Sequence, residues 1–137
     1  MTTAQKGDIA WLKVVERSVK KGWLASRPIQ ESGRYDLILD DGERLYRVQV
    51  KYADGHSPNS KGVARCQLTR NNGSGVNKNR KYSSEEVDAV VVYVPRANSI
   101  CWFPPDVFEN KTSLNIRYEP TKNGQSKGCI LVQDYEW

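Results

Sequence analysis

The chain has 137 residues, 38% of them hydrophobic, and a net charge of +5. That length builds one domain, residues 1–137, with its own core, and no apolar run approaches the roughly 18 residues that span a bilayer. The opening MTTAQKGDIA lacks the apolar core of a secretory signal, so a cytoplasmic protein with no membrane partner is expected.

The helix signal comes first. Thr2 and Gln5 have capping-box spacing, and a helix is predicted from there to residue 21, closed by Gly22. Ile9, Leu12, Val15 and Val19 recur at helical spacing and predict its buried stripe. Glu16 lies beside that stripe and reads as a rim carboxylate paired with Lys13 or Lys20. Residues 23–29 read as a short strand interrupted by Pro28, and Gln30-Glu31-Ser32-Gly33 as a polar turn.

Residues 34–51, RYDLILDDGERLYRVQVK, carry the strongest local pattern. Two apolar-rich runs flank Asp40-Asp41-Gly42-Glu43, which predicts a β-hairpin. With an even-length loop, alternation puts Asp36 on one face with Arg47, Gln49 and Lys51. Tyr35, Leu37, Leu39, Tyr46, Val48 and Val50 form the opposite, core face. A carboxylate, an amide and a lysine converging over a packed layer can hold a divalent metal and a phosphate.

Further along, residues 63–70 alternate as a half-exposed strand with a polar outer face, and a Gly- and Asn-rich loop follows to Lys81. Between Gly55 and Ser84 there is no Asp or Glu but six cations, Lys61, Arg65, Arg70, Lys78, Arg80 and Lys81. Subtracting those six from +5 leaves the rest of the chain at −1, so the excess charge sits in one segment, the footprint of a phosphate-binding surface. Arg reads guanine and Asn reads adenine in the major groove. Lys61, Arg65, Gln67, Arg70, Asn72, Lys78, Arg80 and Lys81 are therefore the candidates for contacting double-stranded DNA; the alternative is an ordinary solvated basic loop.

Residues 83–86 read as a helical turn, and VDAVVVYV at 87–94 as a buried central strand. Strands are expected at 99–103, 114–118 and 130–132, with a short helix at 106–109. Tyr135-Glu136-Trp137 should dock on the body or on a second subunit. Cys66, Cys101 and Cys129, odd in number and widely spaced, suit buried thiols rather than a disulfide framework. The lone His56 sits in a turn-like Asp54-Gly55-His56-Ser57-Pro58 and completes no zinc pattern.

Asp36, twelve residues, Gln49, one residue, Lys51 resembles the core of the PD-(D/E)XK nucleases. Lys6-Gly7 opening the helix and Gly22-Trp23 closing it are similar to the homing endonucleases of cyanobacterial group I introns and, more distantly, to archaeal Holliday-junction resolvases. The resemblance is good over residues 6–51 and looser beyond. It implies an α/β, restriction-endonuclease-like fold with a mixed central sheet flanked by helices. It also implies Mg2+, or another divalent metal, held by Asp36, Gln49 and the backbone carbonyl of Val50. Asp36, Gln49 and Lys51 would be the catalytic set, acting in a homo-oligomer, a dimer or tetramer. Two positions depart from the pattern: Gln49 stands where an acid is usual, and Trp11 stands four residues after Gly7, where the family carries Glu. The expected activity is that of a sequence-specific double-stranded DNA endonuclease of the intron-homing type, impaired by Trp11. A junction resolvase is the second enzymatic reading. A non-catalytic DNA-binding protein on a decayed nuclease scaffold is the third, and both departures favour it.

Overall fold

The computed structural model describes residues 1–57, 60–69, 81–120 and 130–137. Helix α1 (Thr3–Lys20) begins at the expected capping box. The Gln5 N–H donates to the Thr2 hydroxyl at 3.1 Å, and the Thr2 N–H donates to Gln5 Oε1 at 2.8 Å. The helix ends where Gly22 takes a φ of +76°, a conformation that favours glycine. Its contact line matches the expected stripe only in part: Ile9 and Val15 pack against the core, but the line is centred on other residues. Ala10, Val14 and Ser18, at i, i+4 and i+8, are fully buried, whereas Leu12 is 59% and Val19 65% exposed. Small residues let the helix lie close to the sheet, and the Ser18 hydroxyl is satisfied by donating to the Val15 carbonyl at 2.7 Å. A search for large apolar side chains overlooks such a line.

Five strands form the central sheet: β1 (Leu24–Ser26), β2 (Leu37–Asp40), β3 (Leu45–Tyr52), β6 (Ala89–Val94) and β7 (Ser99–Phe103), in the order β1-β2-β3-β6-β7. The β3–β6 pair is parallel and the other pairs are antiparallel, so the sheet is mixed. A second sheet, β4 (Gly55–Ser57), β5 (Ser60–Gln67), β8 (Ser113–Arg117) and β9 (Ile130–Leu131), runs in that order. Leu37, Leu39, Val48, Val50, Ala89 and Val91 pack with Ala10 and Val14 on the α1 side. Val90, Val92, Val94, Cys101 and Phe103 pack with Ala64, Cys66, Leu68, Leu114 and Ile116 on the other. All six residues of β6 are buried, as its unbroken apolar run requires of a central strand. The fold is thus the expected α/β, restriction-endonuclease-like one. The second face is covered by the smaller sheet with the short helices α2 (Pro105–Phe108) and α3 (Val132–Tyr135). At the C-terminus Trp137 docks on the body: its N–H donates to the Ile100 carbonyl at 2.8 Å, and its ring lies 5.3 Å from Trp102 and 5.4 Å from Trp23.

One polar latch fixes β6 against the strand that carries the motif. The Asp88 carboxylate accepts the Arg47 N–H at 2.8 Å and its Nε and Nη2 at 3.0 Å, and the Asp88 N–H donates to the Arg47 carbonyl at 2.8 Å. Because hydrogen bonds to charged groups contribute roughly 1.5–3 kcal/mol, Asp88→Ala should lower unfolding free energy by about 2–3 kcal/mol in urea melts; an unchanged midpoint would remove the latch from the stability account. The Arg47 guanidinium, hydrogen-bonded to Asp88, holds its carboxyl below the usual carboxylate range. A lowered folded value means the stabilisation is complete above the unfolded carboxyl value of about 3.9 and is lost as pH falls through the lower folded value. The wild-type protein should therefore lose more stability than the Asp88→Ala variant on acidification through that window.

Candidate active site

The hairpin pairs Leu37 with Val48, Ile38 with Arg47, Leu39 with Tyr46 and Asp40 with Leu45, so its loop has the even length assumed from sequence. The Asp40 carboxylate accepts the Gly42 N–H, and the Asp41 carboxylate accepts those of Glu43 and Arg44, each at 2.8 Å. The regular pairing ends just before β2. Val48 is the partner of Leu37, yet the Asp36 N–H also reaches the Val48 carbonyl, at 2.8 Å. Two residues against one is the geometry of a β-bulge, a device that re-aims a side chain. The Asp36 carboxylate then accepts the Val50 N–H at 3.0 Å, where a strand carbonyl would otherwise stand.

This offset decides what Asp36 faces. Asp36 and Val50 line a cavity of about 310 Å³, together with Gly7, Asp8 and Trp11 of α1 and with Arg27, Pro28, Gln30, Glu31 and Tyr35 from the connection between β1 and β2. Strict alternation had placed Asp36 with Gln49 and Lys51; the bulge sets it in the cavity wall instead. Gln49, 8% exposed, and Lys51 alternate with Val50 and point to the other side of β3. There the Lys51 ammonium stands 5.2 Å from the centre of the Tyr82 ring. The structure thus brings Asp36, Val50 and Trp11 to one cavity and leaves Gln49 and Lys51 across the strand.

Trp11 is half-buried, and the Arg27 guanidinium lies 5.4 Å from its ring. It lines the same cavity as Asp36. Two other carboxylates in that wall escaped sequence reasoning. Asp8 precedes Trp11 by three residues, a spacing that shares a helix side and was legible. Glu31 lies in a turn and carried no such signal. Glu16 forms an exposed ion pair with Lys20 at 2.9 Å and is not part of this wall. Among the described residues no three of His, Cys, Asp and Glu approach closely enough to cage a metal. Mg2+ does not need a cage: it keeps several waters and takes one or two carboxylates plus substrate phosphate. The wall offers hard oxygens and neither His nor Cys, a donor set that fits such an ion.

The model of the PD-(D/E)XK endonuclease family matches residues 1–137. The chain belongs to that family. This member of the PD-(D/E)XK family is similar to two solved structures. One is a bacterial homing endonuclease, I-Ssp6803I, at 24% identity over 98% of this chain and 86% of that one, with a TM-score of 0.74. The other is Hjc, a Holliday junction resolvase from Archaeoglobus fulgidus, at 15% identity over 82% and 84%, with a TM-score of 0.51. These likenesses show the shared fold. No curated protein matches the chain. PD-(D/E)XK nucleases hydrolyse phosphodiesters and generally use divalent metals, which agrees with the oxygen-lined cavity.

The candidate DNA-contacting residues Lys61, Arg65, Gln67 and Lys81 are exposed. Arg65 and Gln67 alternate on β5 with buried Ala64, Cys66 and Leu68, the polar outer face expected from sequence. Arg70, Asn72, Lys78 and Arg80 lie outside the described residues. Cys66 and Cys101 are free and buried, and burial pushes both thiols up to about 12, so they are inert core residues; Cys129 lies outside the described residues. His56 is exposed on β4, 2.8 Å from Arg96 Nη2, and has no place in the cavity wall.

Proposed function

We propose that the chain is a Mg2+-dependent, sequence-specific double-stranded DNA endonuclease of the intron-homing type, working in the cytoplasm as a homo-oligomer. The observation that carries this reading is the bulge that holds Asp36 beside Val50 in an oxygen-lined cavity under α1. Asp36 and the Val50 carbonyl would hold the ion from the cavity; the Gln49 amide oxygen, the neutral third donor that the family pattern assigns, stands on the other face of β3 and would reach the ion only past the Val50 backbone. A bound divalent ion supplies a Lewis acid and a hydroxide near neutral pH. Lys51, on the same face of β3 as Gln49, would supply a fixed positive charge that stabilises charge developing on a phosphate spanning both sides of the strand. The exposed Lys61, Arg65 and Lys81 follow phosphates, and Gln67 stands where a base edge can be read. One domain of this size reads too little DNA for a rare target, and a symmetric dimer or tetramer extends the site.

Incubation with plasmid DNA, with and without Mg2+, tests the reading. Discrete linear fragments with Mg2+ support it. Cutting restricted to four-way junctions supports a resolvase. A mobility shift without cutting supports the non-catalytic reading, which the indole of Trp11 in the cavity wall specifically favours. The basic face gives a second expected result. Replacing Lys61, Arg65 and Lys81 together with Gln should flatten the plot of log K against log salt by up to about 0.9 per lost phosphate contact. Equal slopes and affinities would show that DNA lies elsewhere.

A further inference from the structure

We propose that Tyr82 is the positioning residue for Lys51: its ring, rather than a carboxylate, holds the ammonium on β3. The inference rests on the reading of Lys51 as the charge-stabilising group. Tyr82 is 1% exposed and packs in the core between the two sheets. Two cations approach its ring, Lys51 Nζ at 5.2 Å and Arg34 Cζ at 4.3 Å from the centroid. Attraction between a cation and an aromatic face strengthens as the pair loses water. Arg34 also ties down the segment that carries the ring: its Nη2 donates to the Lys81 carbonyl at 2.9 Å, and its Nε pairs with Glu86 at 3.2 Å.

The chemistry of the alternatives explains why a ring suits this place. No carboxylate among the described residues forms an ion pair with Lys51. A carboxylate partner would fix the ammonium but cancel its field at the phosphate; an aromatic face fixes it and leaves the net charge in place. The Tyr82 hydroxyl is buried and has no hydrogen-bond partner among the described residues. What Tyr82 offers Lys51 is therefore its ring face, which phenylalanine shares and leucine lacks.

The test compares the full-length protein with Tyr82→Phe and Tyr82→Leu. In 13C–1H spectra the Lys51 ε-methylene, assigned by its loss in Lys51→Ala, should be shifted upfield by the ring current. That shift should persist in Tyr82→Phe and vanish in Tyr82→Leu. In single-turnover cleavage of plasmid DNA with Mg2+, Tyr82→Leu should be slower by about 10- to 100-fold at unchanged DNA affinity, with Tyr82→Phe close to wild type. A Lys51 signal at its random-coil position in the unmutated protein overturns the proposal without any variant, so misfolding of Tyr82→Leu does not shield it. A shift equally present in Tyr82→Leu overturns it as well. If the protein cuts no DNA, the endonuclease reading fails while the spectra still decide whether Tyr82 holds Lys51.

Discussion

Lys51→Ala is expected to slow single-turnover cleavage by about 10²–10³-fold, the usual loss when one fixed donor to a developing negative charge is removed. Folding and DNA affinity should change little. Lys51 lies near the end of β3, which is held by β2 on one side and β6 on the other, and the phosphate contacts are assigned mainly to the β5 face. Truncation removes no backbone hydrogen bond and, among the described residues, no ion pair. The measurement is the cleavage rate at saturating protein and Mg2+, with a thermal melt and a binding isotherm as controls. An alanine variant that cuts at the wild-type rate would take Lys51 out of the mechanism.

Trp11→Glu should act in the opposite direction, raising the cleavage rate and lowering the Mg2+ concentration for half-maximal activity by about ten-fold, or roughly 1.4 kcal/mol of metal affinity. The indole lies in the same wall as Asp36 and Val50. It offers no oxygen and fills space that a carboxylate and its water would use. A glutamate there would face Asp36 across the cavity, with Arg27, now against the indole, at hand as its counter-ion. Calorimetric titration with Mg2+ gives a readout independent of cleavage. Asp8→Asn in the unmutated background separates the remaining possibility: if Asp8 already serves as the second carboxylate, its loss weakens metal binding, and Trp11→Glu then adds little. Equal rates and equal metal requirements for Trp11→Glu and the unmutated protein would show that Asp36, Gln49 and Lys51 suffice.

Much of this architecture was legible because local chemistry and tertiary demand agree. The Thr2–Gln5 cap, Gly22, the Asp-Gly turn and the unbroken run of β6 each state their own structure. Two features were not legible for definite reasons. The contact line of α1 uses Ala10 and Ser18, which hydropathy does not mark as core; their burial follows from how closely the helix meets the sheet. The bulge at Asp36 adds one residue to a period of two, so alternation counted from the hairpin tip is right as far as Leu37 and fails at Asp36. Asp8 could have been found, since it lies one helical turn before the departed glutamate position. Tyr82 could not, because its link to Lys51 spans 31 positions and no local pattern announces it.

The parallel pairing of β3 with β6 also orders events in time. A hairpin such as β2–β3 closes within about 1–10 μs from neighbouring residues alone. Parallel partners need a long crossover, whose closure must precede any reward from pairing. Arg47 meets Asp88, and Lys51 meets Tyr82, only after the intervening chain has folded back. The segment that spells the nuclease motif is therefore expected to form before the surroundings of its lysine. A nascent chain that has emerged as far as residue 57 carries the whole motif, and the candidate site is complete only when the distant half of the chain closes on it.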